Sequence, residues 1–361
     1  MSEEPPIPSN SAARRSALRT LLARLAASLL VALGFVWLLR RGGLPILPEE
    51  SALARITSWA LPAYAVCSLA STFFRTYRWI HVLRPINARL SRWRVFGIGL
   101  LGSSSTFFAP LRSGEIVRPL LLSRETGFTF LQATGSVVAE RVIDGLIVTS
   151  MTIGAMLLST PVSPLPTRLG QLALPLAAVH VAVYGMCLAF AALFLAVVVF
   201  YRARMQVTRL VDRVIGRFSE RAARALTRML ARLAEGLGFL ASRGHRGPFL
   251  RDTLLYWVLA ITAHYALLRG TGIPVSVSEA CVILGLVALG VVVPAGPGVF
   301  GAYQIAAYTA LALYRPGSEV LHAGSAFVFA SYVAIFTSNT LCLAVGSLLL
   351  ARVRAPLKQP G

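Results

Sequence analysis

Three stretches of this sequence place groups able to do chemistry inside apolar surroundings. The first is FFAPLRSGEIVRPLLL, residues 107–122. Here Arg112, Glu115 and Arg118 arrive with Pro110, Ser113, Gly114 and Pro119, directly after the apolar run Val95–Thr106. The second is VVAERVIDGLIV, residues 137–148, where Glu140, Arg141 and Asp144 interrupt an apolar run. Each such charge costs about 2.5–3.5 kcal/mol at the centre of a membrane helix on insertion scales, so it faces protein, water or a ligand. The third is VVPAGPGVFGAYQ, residues 292–304, in which Pro294, Gly296, Pro297, Gly298 and Gly301 prevent a continuous helix.

The chemistry these residues suit is anion binding. A half-helix that begins inside the membrane turns unpaired N–H groups and a positive dipole end inward, which suits a phosphate or carboxylate. One such start falls near Glu115 and the other near Ala302. Arg112 and Arg118 add charge-assisted bonds in the fork geometry that phosphate accepts. Arg75 and Arg78, in FFRTYRW, end an apolar run; they either guide a head group in or anchor the helix by snorkelling. Glu140 and Asp144 lie one turn apart on one face, with Arg141 in reach of Asp144 at i+3. That triad braces the Arg112/Arg118 site, relays protons, or locks two helices as a structural ion pair.

The elements that must position these residues follow from composition. The chain has 361 residues, 56% hydrophobic and 14% charged, against about 25% charged in ordinary soluble domains. Apolar runs of about 20 residues are long enough to cross a bilayer. Full spans are expected at about 21–39, 56–74, 134–158, 174–200, 250–268 and 324–350, with shorter apolar stretches at 95–109 and 277–293. The net charge of +21 comes almost wholly from arginine. The arginines flank the spans, as the positive-inside bias requires, which argues against nucleic acid as a partner. Segments 75–94, 201–249 and the tail after 350 are rich in basic residues and belong in the cytoplasm. All six spans satisfy this only if 95–122 and 277–314 are re-entrant hairpins entering from opposite faces.

The fold class expected is therefore an all-α integral membrane protein with about six full transmembrane helices and two re-entrant broken-helix hairpins. Span–hairpin–span occurs over about 56–158 and again over about 250–350, the pattern of an inverted-topology repeat with a substrate site at the broken helices. Residues 1–20 read as a disordered cytoplasmic N-terminus, 21–350 as one membrane domain, and 351–361 as a cytoplasmic tail. Within the domain, 202–242 reads as an amphipathic arginine-rich helix on an anionic lipid surface. Cys67, Cys187, Cys281 and Cys342 read as buried hydrophobes, and His180 and His264 as core histidines.

Several chemistries are excluded. The sole lysine is Lys358, so a P-loop is impossible and a lysine Schiff base implausible. Asp144, Asp212 and Asp252 are the only aspartates and form no Asp-x-Asp pair; no Cys/His set has metal-ligand spacing.

PLRSGEIVRPLLL (110–122), ERVIDG (140–145) and VPAGPGVFG (293–301), in that order, resemble the lysylphosphatidylglycerol synthase transmembrane-region family, over about residues 20–350. The resemblance implies a flippase-like fold that moves anionic or aminoacylated phospholipids, or polyprenyl- or hopanoid-type lipids, between leaflets of a bacterial inner (plasma) membrane. Both termini would be cytoplasmic, with no cofactor and a possible homo-oligomer. Arg112, Gly114, Glu115 and Arg118 match the family's first motif, Glu140, Arg141 and Asp144 its second, and Pro294, Gly296 and Gly298 its third. One position departs: Gly301 stands where the family usually has Glu. The aminoacyl-transferring domain of the synthases is also not expected after Leu350. A transporter rather than an enzyme is therefore expected. The alternatives are a membrane-embedded enzyme acting on a lipid-linked phosphate, with Glu115, Glu140 or Asp144 as acid or base, and a non-transporting scaffold.

Overall fold

A computed structural model describes residues 10–87, 90–173, 176–215, 217–292 and 296–354. In chain order its helices are α1 (Asn10–Arg41), α2 (Glu50–Ala54), α3 (Ala60–Tyr77), α4 (Trp79–Leu83), α5 (Arg92–Phe108), α6 (Val117–Thr126) and α7 (Phe130–Leu157). Then come α8 (Ala177–Ile215), α9 (Glu220–Gly236), α10 (Arg243–Gly270), α11 (Val277–Gly290), α12 (Ala302–Ala312), α13 (Gly317–Leu321) and α14 (Ala323–Arg354). The one sheet among the described residues is a small antiparallel pair, Arg168–Leu169 with Leu172–Ala173.

Local chemistry sets the helix starts. Thr129 and Gln132 cap α7 reciprocally, and Ser276 and Glu279 do the same for α11. Pro110 opens a 3-10 helix, Pro110–Ile116, that leads into α6. Pro119 sits in the first turn of α6, where its missing N–H has no helical partner to lose. The N-terminal region also differs: α1 already begins at Asn10, inside the segment expected to be disordered over 1–20, while residues 1–9 lie outside the described residues. The tail expected at 351–361 is helical through Arg354, its remainder lying outside the described residues.

Residues 60–157 and 243–354 form two helix–break–helix units that interlock. α3 runs antiparallel to α10: Thr57 N–H donates to Gly270 O at 2.9 Å near one end, and Arg78 Nη1 donates to Thr253 Oγ1 at 2.9 Å at the other. α5 runs antiparallel to α14, with Gly97 against Leu349 and Phe108 edge-on to Phe336 at 5.3 Å. α11 runs antiparallel to α7, with Gly285 against Thr152 and Ser278 Oγ donating to Leu158 O at 3.4 Å. Exchange α3 with α10, α5 with α11 and α7 with α14, and this set of contacts maps onto itself.

Each unit contains a tight helix–turn–helix. α6 returns along α5, and Gly114 lets the turn lie on Ser105; a Cβ there would meet the Ser105 carbonyl. α12 returns along α11 with Gly290 against Ala306. The two turns face each other, since Gly298 lies within 3.5 Å of the Phe107 ring, measured from where its Cβ would be. α1 crosses beside both turns, with Ala32 against Gly296 and Phe35 against Gly301.

The arginine-rich stretch 202–242 is not one helix. α8 carries it unbroken to Ile215, and α9 folds back against α7 and α8. Leu233 and Gly236 of α9 find Gly135 of α7, so part of the apolar face is spent on protein. Arg221, Arg224, Arg228 and Arg232 stay exposed. α8 and α14 are long and apolar enough to cross a membrane by composition alone. α8 exposes Val181 (73%), Leu188 (73%) and Leu195 (62%), an apolar row that suits hydrocarbon better than water.

A buried ion-pair cluster beside two cavities

The end of α3, the start of α6 and the middle of α7 bring the charged groups together. Arg78 is fully buried. Its Nη2 lies 2.5 Å from Asp144 Oδ2 and 3.3 Å from Glu140 Oε1, while Nη1 holds Thr253 on α10. Arg118 Nη2 takes the other Glu140 oxygen at 2.8 Å. Its guanidinium lies over the Trp79 ring at 3.8 Å, and Trp79 Nε1 donates to Ser136 Oγ at 3.3 Å. Gly102 on α5 allows this approach by leaving room for the Arg118 stem. Four helices are thus tied through one carboxylate pair. Two guanidiniums face two carboxylates, so the cluster is neutral. Removing one member of such a set strands a charge, which costs about 3–5 kcal/mol.

Arg75 and Arg141 stand outside this balance. Neither has an ion pair or hydrogen bond among the described residues, and Arg141 Nε is buried without a hydrogen-bond partner. Arg75 lies 5.9 Å from the Tyr256 ring centre. Both arginines line two neighbouring cavities. The larger, about 420 Å³, is walled also by Glu115, Asp144, Phe190, Tyr256 and Trp257. The smaller, about 240 Å³, is walled also by Phe107, His264, Val299, Tyr303 and Asn339. Ala288 and Val291 of the second unit border both. The two arginines therefore sit between the cavities, where the units meet. Chemically they offer guanidinium donors in a largely apolar setting.

The structure distributes the residues singled out from the sequence. Arg75, Arg141, Glu115 and Asp144 reach a cavity wall. Arg78, Arg118 and Glu140 do not; the cluster holds them. Arg78 is no snorkelling anchor, because it is fully buried. Asp144 pairs with Arg78 rather than with Arg141, its neighbour at i−3. Ser113 is half-buried and Gly114 buried in the turn. Gly296, Pro297 and Gly298 form the second turn, with Gly298 at φ +70. The Arg112 side chain and Pro294 lie outside the described residues. The half-helix start at α12 is partly occupied: Gly301 N–H donates to Gln304 Oε1 at 2.6 Å. Sequence reading missed His264, Tyr256 and Phe190. Each stands alone among apolar neighbours in sequence, and only tertiary packing brings them to the arginines.

The family model described as Lysylphosphatidylglycerol synthase TM region matches residues 24–338. The chain belongs to this family. It is a helical membrane protein, and the family's name ties it to membrane lipid biosynthesis or transport. The matched region contains the whole ion-pair cluster and every described residue of the two cavities except Asn339. No curated protein and no solved structure matches the chain. Gly301, where the family resemblance leads one to expect Glu, has φ +88 and lies against Phe35 of α1. A side chain there would need both a strained backbone and the space that Phe35 fills.

Proposed function

We propose that the protein moves an anionic lipid head group between membrane leaflets through the two cavities joined at Arg75 and Arg141. The observation that carries this reading is the pair of arginines without carboxylate partners between two cavities. Phosphate is the natural counter-charge for a guanidinium pair. At about 4 Å and an effective dielectric constant near 20, one guanidinium–phosphate contact gains about 4 kcal/mol, so two offset much of the head group's lost hydration.

In this reading α1, α3, α7, α8, α10 and α14 are the six spans, and the pairs α5/α6 and α11/α12 are the re-entrant hairpins. The contact pattern that survives exchange of the units, with antiparallel α3 and α10, supports an inverted repeat. In the same reading the ends of α3, α8 and α14, beside the basic segments, lie on the cytoplasmic side. The larger cavity then receives the head group from the cytoplasmic leaflet, and the smaller passes it onward. An apolar groove of about 370 Å³ between α3 and α14, lined by Leu61, Tyr64, Leu69, Ala330, Val333 and Leu341, gives the acyl chains a path. The exposed arginines of α8 and α9 hold anionic lipid at the entrance.

Acid–base chemistry has less support. Glu140 and Asp144 are both held by Arg78, and a carboxylate in that setting is a poor base. The test is mass spectrometry of lipid that copurifies in mild detergent. Wild type is expected to enrich an anionic lipid class over the bulk membrane, and Arg75→Gln/Arg141→Gln to lose the enrichment. Equal, bulk-like lipid in both proteins would refute the reading.

A further inference from the structure

The last turns of α8 carry an apolar stripe on a helix otherwise covered in charge. Ala203, Val207, Leu210 and Val214 recur at spacings of four, three and four, the period of a coiled-coil seam. Leu210 is 58% and Val214 49% exposed, and Ala203 and Val207 are partly exposed. The side of α8 that α9 covers is a different one. It is marked by Asp212, whose Oδ1 accepts from Thr227 Oγ1 at 2.8 Å, and by Met205 and Thr208, which share a groove with Ala231 and Ala234. Helix period puts Leu210 and Val214 on the far side from Asp212.

Lipid of the same membrane is out of reach of this stripe. α8 is one unbroken helix of 39 residues, about 58 Å long, against a hydrocarbon core of about 30 Å. In the orientation proposed above, Arg202 is the first charge past the apolar span, and Val214 stands about 18 Å farther out. The field of anionic head groups fades over about 8 Å at physiological salt. Arg202 and Arg204 stay at head-group level, and the outer half of the stripe does not. Nor can the segment bend down to the membrane, because α8 is continuous and α9 is locked back onto α7 with Gly236 against Gly135. Exposed apolar side chains in water, gathered in one row, mark a docking face.

The flanks of the stripe decide the partner. Arg204 and Arg213 stand at the two positions directly beside the seam, with Arg202 and Arg209 behind them, and all four are exposed. Between Arg202 and Glu235, nine arginines stand against three carboxylates. A second copy of this chain would set arginine beside arginine, which repels. A helix with apolar residues at the same period and carboxylates on its flanks satisfies both the row and the charge. We infer that the outer end of α8 docks an acidic amphipathic helix of another protein, seam to seam. This rests on the orientation given with the proposed function and adds a protein partner to it.

The experiment uses the full chain in phosphatidylcholine nanodiscs and reads the fluorescence anisotropy of two labelled peptides. Both are about three heptads long, with the same composition and the same negative charge. One places Leu at the seam positions and Glu beside them; the other scatters the leucines. Wild type is expected to bind the patterned peptide at least about tenfold more tightly. Leu210→Ser/Val214→Ser is expected to bind the two alike, with a melting temperature within a few degrees of wild type, as surface substitutions allow. Equal binding of the two peptides by wild type would mean that charge alone attracts them, and overturns the inference. Phosphatidylglycerol vesicles that bind wild type and lose their hold on Leu210→Ser/Val214→Ser would give the stripe to a lipid surface, and overturn it too. Leaflet exchange of the same wild-type protein in vesicles is read separately. Its absence, with the preference for the patterned peptide intact, removes the transport reading and leaves this inference standing.

Discussion

Two pairs of arginines meet in the same region of the molecule and differ in their surroundings. Arg78 and Arg118 are buried and matched by Glu140 and Asp144. Arg75 and Arg141 are neighbours in space, have no carboxylate partner among the described residues, and border open volume. Residue type is the same throughout. What differs is whether the fold supplies the counter-charge or leaves the guanidinium facing a cavity. A charge that the protein neutralises holds helices together; one that it leaves bare, at the edge of a cavity, is available for chemistry.

The comparison can be broken most forcefully at Glu140, which serves both matched arginines. Glu140→Ala is expected to destabilise by about 3–5 kcal/mol, because two guanidiniums lose their shared partner. Thermal unfolding in detergent reads this directly. A variant as stable as wild type would mean that the cluster is not what ties α3, α6 and α7 together.

A smaller loss is expected at the turn that places the cluster. Gly114→Ala drives a Cβ into the Ser105 carbonyl, and overpacking of that kind costs about 1–3 kcal/mol. The same unfolding assay would show it, and unchanged stability would mean that the turn is free to shift. The least effect belongs to the exposed arginines of α9. Arg224 and its partner Glu220 are 71% and 80% exposed, and Arg224→Ala should change stability by no more than about 0.5 kcal/mol. A larger change would blur the line between matched and solvated charges.

Much of this architecture was legible in the sequence because apolar runs and Pro/Gly breaks are local signals. The helix breaks at Pro110–Gly114 and at Gly296–Gly301 fall where those residues stand, and the Glu140–Asp144 face follows from helix period. The partners of the charges were not legible. Arg118 reads from its motif as a ligand group, yet Gly102 and Trp79, far from it in motif terms, draw it onto Glu140. Arg141 reads as the partner of Asp144, yet Arg78 arrives from another helix and takes that place. His264 reads as an ordinary core histidine because nothing near it in sequence betrays the cavity that it borders. Which charge is matched is decided between helices, and spacing along one helix does not carry that information.

The central claim is that the bare arginines act on lipid and the matched ones on the fold. Its most direct test is leaflet exchange of a labelled anionic lipid in vesicles containing Arg75→Gln/Arg141→Gln protein, beside the melting temperature of the same protein in detergent. The account predicts that exchange falls at least about tenfold, while the melting temperature stays within a few degrees of wild type. Exchange at the wild-type rate by a correctly folded double variant would contradict it.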